Sequence, residues 1–511
     1  MLSSNISNLD INRDREEGYS GIFAKSNDST KIELFVNIES IDPQPSAITL
    51  QDLEPTSNSS ISAKDLALSY VRDGDKSIES KAYEQARISY HLAVESNSQL
   101  AVAHHGLAIA HYHLRDYEGA LSACSRAIEC DRTQTIFYYQ RALISKYLKD
   151  YDRVLADCKW VLQKCPHHRG ARWLNSIALV KTANYQVALF NLNQHIDFHP
   201  QDPEGYCYRG ICYEQLNKSI LAIADFDRAI ELQPNQAILY HTRGRIHQRV
   251  GNLQSALMDF DRAIEVEPQL ASVYDDRAEI YQCQGNYLAA IEDGNRAISL
   301  NPQLVEAYFR RGIAYTEIGN FKLALLDYDR IIELVPRHIQ SYIQRSWIYF
   351  RQGNYPLAKQ NCQTVRSFSK DCFWANYLRA IINAHTGLIH DAISDFSRSI
   401  EIFPYYVFAR YHRGLMYYEL GDLTRAMTDF NQAQKIQDRG LEQLVDSPGS
   451  KLHQKDETGF YAEGLALYHL GHPEAARTVL NLGALVATRV NNTIFYNQIL
   501  LSLETLGLNA K

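Results

Sequence analysis

Features that would indicate an enzyme or a membrane protein are missing from this chain of 511 residues. The sequence contains no GxxxxGK[ST] phosphate loop, no GxGxxG, no GxSxG and no HExxH. No stretch approaches the roughly 18 consecutive apolar residues of a membrane span, and the N-terminal region holds no apolar signal core. We therefore predict no catalytic activity, no cofactor, no membrane span and a cytoplasmic location.

Paired cysteines and a strong charge of one sign are also missing. The nine cysteines include no CxxC pair, and the formal net charge is only −7. Cys124, Cys158 and Cys362 stand where related segments have aromatic core residues, which predicts buried small side chains in a reducing compartment. Because phosphate binding needs concentrated basic residues, the mixed charges argue against nucleic acid as the main partner.

The chain does contain a repeat of 34 residues that keeps its phase, without insertion, from about Ala67 to about Gly440. A small residue recurs at this period: Gly74, Ala108, Ala142, Ser176, Gly210, Gly244, Ala278, Gly312, Ser346, Ala380 and Gly414. Small residues allow two helices to cross closely, and a fixed period of this length indicates a solenoid of helical hairpins.

The unit from Pro203 to Gln236 illustrates the pattern. Tyr206 and Tyr213 lie on one face of a first helix, which is interrupted at Asn217. A second apolar stripe follows, and Pro234 ends it because proline cannot continue a helix. Neither helix is long enough to be stable alone, so stacking against neighbouring units must bury both stripes.

This order of large, small and aromatic residues, closed by proline, resembles the tetratricopeptide repeat (TPR) family, and in particular long bacterial TPR arrays. Eleven units in phase begin at residues 67, 101, 135, 169, 203, 237, 271, 305, 339, 373 and 407, and a twelfth begins near Glu457. The resemblance implies an all-α fold: a right-handed α-solenoid (superhelix) of about twelve hairpins, with a C-terminal capping helix from Ile494 to Leu506.

The boundaries of the repeat divide the chain into four regions. Residues 1–64 are predicted to be mostly disordered because they are rich in polar residues; we hypothesise that the apolar run from Ile32 to Ile38 occupies the binding groove in cis. Residues 65–440 hold the eleven units in phase, residues 441–456 form an insertion, and residues 457–511 hold the twelfth unit and the capping helix.

An arginine precedes the small residue in eight units, and seven of these have an aspartate sixteen residues later. The seven pairs are Arg141–Asp157, Arg209–Asp225, Arg243–Asp259, Arg277–Asp293, Arg311–Asp327, Arg379–Asp395 and Arg413–Asp429. In the eighth unit Arg345 is followed by Asn361. We predict a repeated contact between helices; the alternative is inheritance by duplication without contact.

By resemblance, the first helix of each hairpin lines a concave groove that binds partner segments. The groove positions form a mixed N-terminal zone, a charged middle zone and an aromatic C-terminal zone. We predict the following partner-binding residues: Arg245, Arg249 and Arg310 in the middle zone, and Phe309, Trp347, Phe350, Trp374, Tyr377, Phe408, Tyr411, Tyr418, Tyr461 and Tyr468 in the aromatic zone. The alternatives are that the aromatics are buried between adjacent first helices, and that the charges pair with one another.

A cluster of histidines in the second unit is a candidate metal site. His104 and His111 share a helical face, and Cys124 occupies the facing core position. The spacing is not that of a standard zinc motif and a fourth ligand is not evident. A hydrogen-bonded core is the favoured interpretation, and we predict no metal.

Taken as a binding surface, the repeat predicts a non-enzymatic scaffold for one or more proteins or peptides. The alternative is a regulatory or substrate-recruiting subunit that acts with a separate catalytic protein. No feature of the sequence predicts an oligomeric state.

Overall fold

Pairs of antiparallel helices joined by tight turns follow one another along the chain in the computed structural model, which describes residues 62–438, 457–489 and 492–508. The described residues fall into two compact bodies, and the boundary in the sequence lies between Val266 and Glu267. Residues 1–61 of the predicted region 1–64, including the run from Ile32 to Ile38, and the predicted insertion 441–456 lie outside the described residues.

The described part of the N-terminal body contains six hairpins. Its helices are α1 Ala63–Glu79, α2 Tyr83–Ser96, α3 Ala101–His113, α4 Tyr117–Cys130, α5 Thr135–Tyr147, α6 Tyr151–Lys164, α7 Arg169–Lys181, α8 Tyr185–Phe198, α9 Pro203–Gln215, α10 Ser219–Leu232, α11 Ala237–Arg249 and α12 Leu253–Val266. Within this body the second helix of each hairpin packs against the first helix of the next.

The described part of the C-terminal body also contains six hairpins, followed by one further helix. Its helices are α13 Ala271–Cys283, α14 Tyr287–Leu300, α15 Val305–Glu317, α16 Phe321–Leu334, α17 Ile339–Arg351, α18 Tyr355–Phe368, α19 Phe373–His385, α20 Ile389–Ile402, α21 Val407–Glu419, α22 Leu423–Asp438, α23 Glu457–His469, α24 Pro473–Arg489 and α25 Thr493–Thr505. The described residues are helices and turns throughout, and the predicted all-α solenoid is confirmed.

Each turn inside a hairpin places one residue in the left-handed region. Glycine fills this position in the later hairpins, as at Gly251 and Gly285, with φ of 86° and 75°. In the five earlier hairpins a residue with a side chain fills it, as at Lys149 and Ala183, both with φ of 60°. Left-handed backbone strains most residues other than glycine and asparagine, so the N-terminal turns, apart from the one at Asn217, carry a conformational cost.

The core of a hairpin forms where an aromatic ring of the second helix covers the small residue of the first. A Cβ atom built on Gly244 would lie only 2.7 Å from Cε1 of Phe260, so the ring leaves no room for a methyl group. Where the small residue is Ala278, the position sixteen residues later is Gly294 instead of an aromatic. The sizes of the two positions thus compensate in these hairpins, as close packing requires.

The predicted arginine–aspartate contact is confirmed in all seven pairs. Arg209 Nε donates to Asp225 Oδ2 at 2.9 Å and its Nη2 donates to Oδ1 at 2.7 Å, and the other six pairs have the same two-pronged geometry. Arg209 Nη1 also donates to Asn193 Oδ1 of the preceding hairpin at 2.9 Å. One guanidinium therefore connects three helices, with a carboxylate that is almost fully buried.

Candidate partner-binding surfaces

The first helices of successive hairpins form one side of each body, which we call the first-helix face. Most of the predicted aromatic anchors on this face are buried. They are Trp347, Phe350, Trp374, Tyr377, Phe408 and Tyr411, each no more than 7% exposed. This placement is the one that the packing alternative predicts, because these rings pack against adjacent first helices and against one another.

Four predicted aromatics keep some solvent contact. Tyr418 is 39% exposed, and its ring lies 4.1 Å from the ring of His469. Phe309, Tyr461 and Tyr468 are partly buried. In the aromatic zone, only these four offer part of their ring surface to a partner without rearrangement.

The predicted charged residues of the middle zone have acidic neighbours. Arg310 Nε lies 3.0 Å from Asp275 Oδ1, and Arg310 Nη1 lies 3.0 Å from Glu279 Oε2. Burial raises the pKa of Asp275 to about 6, although the charge of Arg310 opposes this rise. Burial lowers the pKa of Arg310, but the carboxylates outweigh burial and leave it above its ordinary value.

The two other predicted arginines belong to the N-terminal body. Arg249 Nη1 lies 3.0 Å from Glu214 Oε1, and the Arg249 side chain remains 47% exposed. Arg245 is partly buried. For Arg249 and Arg310 the structure thus matches the alternative in which the charges of this zone pair with one another.

A cluster of accessible aromatic rings lies at the C-terminal ends of α3 and α5 and the N-terminal ends of α2 and α4, in the zone that the sequence showed only as mixed. We call it the tyrosine cluster, and it comprises Tyr83, Tyr112, His113, Tyr117 and Tyr147. The rings of Tyr117 and Tyr147 stack at 4.8 Å with an interplanar angle of 8°. Tyr112 donates from its hydroxyl to that of Tyr147 at 3.2 Å. Tyr83 and His113 stack at 4.3 Å.

The tyrosine cluster was missed because its signal is not the 34-residue period. Tyr112 and Tyr147 are 35 residues apart, so they occupy adjacent positions of successive units. This offset also joins Glu214 to Arg249 and Asp275 to Arg310. A search of the sequence at a spacing of 35 would have found all three contacts between successive first helices.

The residues of the histidine cluster are bound to other groups of the protein. His104 Nε2 donates to the carbonyl of Ser98 at 2.9 Å, and His111 Nδ1 lies 2.7 Å from Asp116 Oδ2. Cys124 Sγ donates to the carbonyl of Phe137 at 3.1 Å. Within the described ranges, no group of three or more His, Cys, Asp or Glu side chains is placed to hold a metal ion.

Within residues 62–438, 457–489 and 492–508, no helix combines the length and the apolar character that a membrane span needs.

Comparison with known proteins identifies the repeat. Family models described as tetratricopeptide repeat match residues 203–236, 276–339, and both 237–270 and 409–439. A search of curated proteins gave no significant match.

Solved structures with a similar arrangement of helices share little sequence with the chain. Yeast Tom70 is 16% identical, with 86% of this chain and 96% of Tom70 covered and a TM-score of 0.38. A tetratricopeptide repeat protein from Parabacteroides merdae is 18% identical, with 50% and 98% covered and a TM-score of 0.40. The Cut9–Hcn1 structure of the APC/C is 12% identical, with 86% and 99% covered and a TM-score of 0.40.

Proposed function

Since the chain belongs to the tetratricopeptide repeat family, whose members generally act as protein-interaction scaffolds, we propose that it is a non-enzymatic scaffold that binds segments of partner proteins on its first-helix face. A chain of stacked hairpins offers a long continuous surface instead of one enclosed pocket, which suits extended or helical partner segments.

The observation that carries this proposal is the tyrosine cluster. Its rings are held by stacking and by a hydroxyl–hydroxyl hydrogen bond, yet Tyr147 remains 38% exposed. Rings that are fixed before binding lose little conformational entropy when a partner packs on them. Tyrosine is also among the residues that most often contribute strongly to binding at protein interfaces.

A second part of the proposed surface consists of the predicted residues that keep solvent contact. Tyr418, Tyr461, Tyr468 and Phe309 provide partly accessible rings in the C-terminal body. Arg249 provides an accessible cation in the N-terminal body, beside Glu214.

The experiment is affinity capture from the source organism with the full chain, followed by titration of each purified candidate partner. The variant is Tyr112→Ala combined with Tyr147→Ala, and the expected result is at least a tenfold loss of affinity, because both anchors of one ring group are removed. Tyr405→Ala is the matched control, since Tyr405 is 43% exposed and lies outside the tyrosine cluster.

Unchanged affinity of every captured partner for the double variant would contradict the proposed surface. The identity of the partner also decides the alternative function: a captured enzyme whose activity or substrate choice changes in the complex would indicate a regulatory or recruiting subunit. The cytoplasmic location stays a prediction.

A further inference from the structure

The last hairpin of the described chain packs differently from the others in the C-terminal body. In the earlier hairpins of this body, a first helix packs against the second helix of its own hairpin and, in the hairpin before it, mainly against the second helix. Helix α23 instead packs along α21, the preceding first helix, and barely touches α22. Phe408 and Phe460 lie 5.4 Å apart at one end of this contact, and Tyr418 and His469 lie 4.1 Å apart at the other.

The close approach of α23 to α21 depends on a glycine. A Cβ atom built on Gly459 would lie 2.2 Å from Cδ2 of Phe408. A larger residue would push α23 away from the ring, so the sequence at this point fits α23 to the first-helix face.

An ion pair connects α23 to a hairpin that is not its neighbour. Arg351 at the end of α17 donates from Nε to Glu457 Oε1 at 3.2 Å and from Nη2 to Oε2 at 3.4 Å. The Glu457 side chain is fully buried and that of Arg351 is 11% exposed. Hairpins of a solenoid normally contact only their immediate neighbours, whereas this pair spans 106 residues of sequence.

The start of α25 completes the contact. Asn492 Nδ2 donates to Glu457 Oε1 at 3.0 Å. Phe495 is 2% exposed, and its ring lies 5.1 Å from that of His385 and 6.2 Å from that of Phe350. Phe350 is one of the predicted groove anchors, so the chain itself covers part of the predicted site.

We propose that the C-terminal segment Glu457–Leu508 is a built-in occupant of the first-helix face of α17, α19 and α21, and that it competes with a partner for this surface. This inference rests on the proposed function. The contacts define the chemistry of such a partner: a segment that presents a carboxylate to Arg351 and an aromatic ring to Phe350 and His385. An acidic, phenylalanine-containing helix meets both requirements.

The first measurement is hydrogen exchange of the full chain, comparing wild type with Phe495→Ala. We expect faster exchange in α23, α25 and the C-terminal ends of α17 and α19, with α13–α16 unchanged, because the variant releases the segment without unfolding the hairpins beneath. Leu501→Ala is the matched control on the same helix, since Leu501 is 60% exposed. Exchange that rises equally throughout the C-terminal body would show a structural cap and overturn the proposal.

The second measurement adds the segment in trans. A fluorescent peptide of residues 457–508 should bind the Phe495→Ala chain at least tenfold more tightly than wild type, because its site is vacated only in the variant. The same peptide carrying Glu457→Gln should lose this preference, since it cannot neutralise Arg351. Equal binding of the unmodified peptide to both chains, or binding to neither, would overturn the proposal.

Phe495→Ala could also destabilise the chain, and Glu457→Gln in the full chain then replaces it, since that change keeps every ring in place. These tests distinguish failure of the occupant proposal from failure of the proposed function. The peptide belongs to the chain itself, so its binding does not depend on an outside partner. If the peptide binds both chains equally, a partner can still bind through Tyr112 and Tyr147, and only the occupant proposal fails. If the Tyr112 and Tyr147 substitutions leave partner affinity unchanged while the peptide still binds the Phe495→Ala chain more tightly, only the proposed partner surface is contradicted.

Discussion

Arg243 and Asp259 form a two-pronged ion pair between the helices of one hairpin, and the same arginine reaches the hairpin before it. Nε donates to Asp259 Oδ2 at 3.0 Å and Nη2 donates to Oδ1 at 2.6 Å. Nη1 donates to Asp227 Oδ1 at 2.6 Å. Asp259 is only 5% exposed, so this arginine is the counterion that a buried carboxylate needs.

Removing Arg243 should therefore be costly. Arg243→Ala leaves a buried carboxylate without its cation, and we expect the local free energy of opening of α11 and α12 to fall by about 3 kcal/mol. Hydrogen exchange of the full chain measures this quantity helix by helix.

The chain supplies its own control at Arg345, which has Asn361 in place of the aspartate; its ion pair among the described residues is with the half-exposed Asp329 at 2.7 Å. Arg345→Ala should cost distinctly less than Arg243→Ala, because it leaves no buried charge. Equal losses in the two variants would show that the buried carboxylate is not the source of the effect.

The small residue of the first helix and the residue sixteen positions later compensate for each other in size, so substitutions at the two positions should be energetically coupled. Phe260→Cys should destabilise its hairpin by about 3 kcal/mol through the cavity that it leaves. Gly244→Ala should also destabilise, because the added methyl group meets the Phe260 ring. Combined, the changes recreate the pairing of Ala142 with Cys158, so the double variant should be more stable than the sum predicts.

A double-mutant cycle by urea unfolding or hydrogen exchange tests this coupling. The matched control combines Gly244→Ala with Phe226→Cys in the preceding hairpin, where the two effects should add. Additivity in both cycles would contradict the compensation.

The turns predict that glycine affects stability differently in the earlier and the later hairpins. Ala183→Gly should stabilise the chain by about 0.5–1 kcal/mol, because it relieves left-handed strain at φ of 60°. Gly285→Ala should destabilise by about 1 kcal/mol from backbone strain alone, since no atom lies near the added methyl group. Asn217→Gly is the control and should change less, because asparagine tolerates this conformation at φ of 57°. A destabilising Ala183→Gly would contradict the argument.

Two buried histidines predict a loss of stability in acid. Burial lowers the pKa of His385 to about 4, and burial together with the charge of His385 lowers that of His412 to about 3. The unfolded chain takes up protons from about pH 6.5 downwards, whereas the folded chain resists until the lower values. The stability of α19 and α21 should therefore be about 2 kcal/mol lower at pH 5 than at pH 7 for each histidine.

His412→Phe tests this directly. His412 stacks on Phe396 at 5.3 Å, and its buried Nε2 has no hydrogen-bond partner within the described residues, so a phenyl ring fits the site without leaving a polar group unpaired. The variant should lose about half of the pH dependence in α21. Asp275 supplies the opposite sign: since its pKa is raised to about 6, α13 and α15 should be slightly more stable at pH 5 than at pH 7. If the stability of α13 and α15 changed with pH in the same direction as that of α19 and α21, the attribution to Asp275 and to the two histidines would be wrong.

The period of the sequence was sufficient to predict the hairpins and the contact between Arg209 and Asp225. Both depend on spacing within one unit, and a helix converts that spacing directly into geometry. The period could not predict that Trp374 and Tyr411 are buried. Their burial depends on how closely adjacent first helices approach, and the period does not set that distance.

The packing of the C-terminal segment on the first-helix face could not be predicted from the repeat pattern for a related reason. Glu457 begins a unit like any other, and its position in the repeat does not show that α23 packs along α21. The ion pair with Arg351 joins hairpins that are not neighbours, so no spacing common to the repeats could reveal it. The contact between Tyr112 and Tyr147 of the tyrosine cluster, in contrast, could have been predicted from their spacing of 35 residues.

A third bond from several of these arginines gives the solenoid a direction. Arg209, Arg243 and Arg311 each reach backwards, to Asn193, Asp227 and Asn295 of the hairpin made earlier. During synthesis from the N-terminus, an emerging first helix therefore meets an acceptor on a hairpin that has already left the ribosome. Each completed hairpin therefore already presents an acceptor for the arginine of the next first helix.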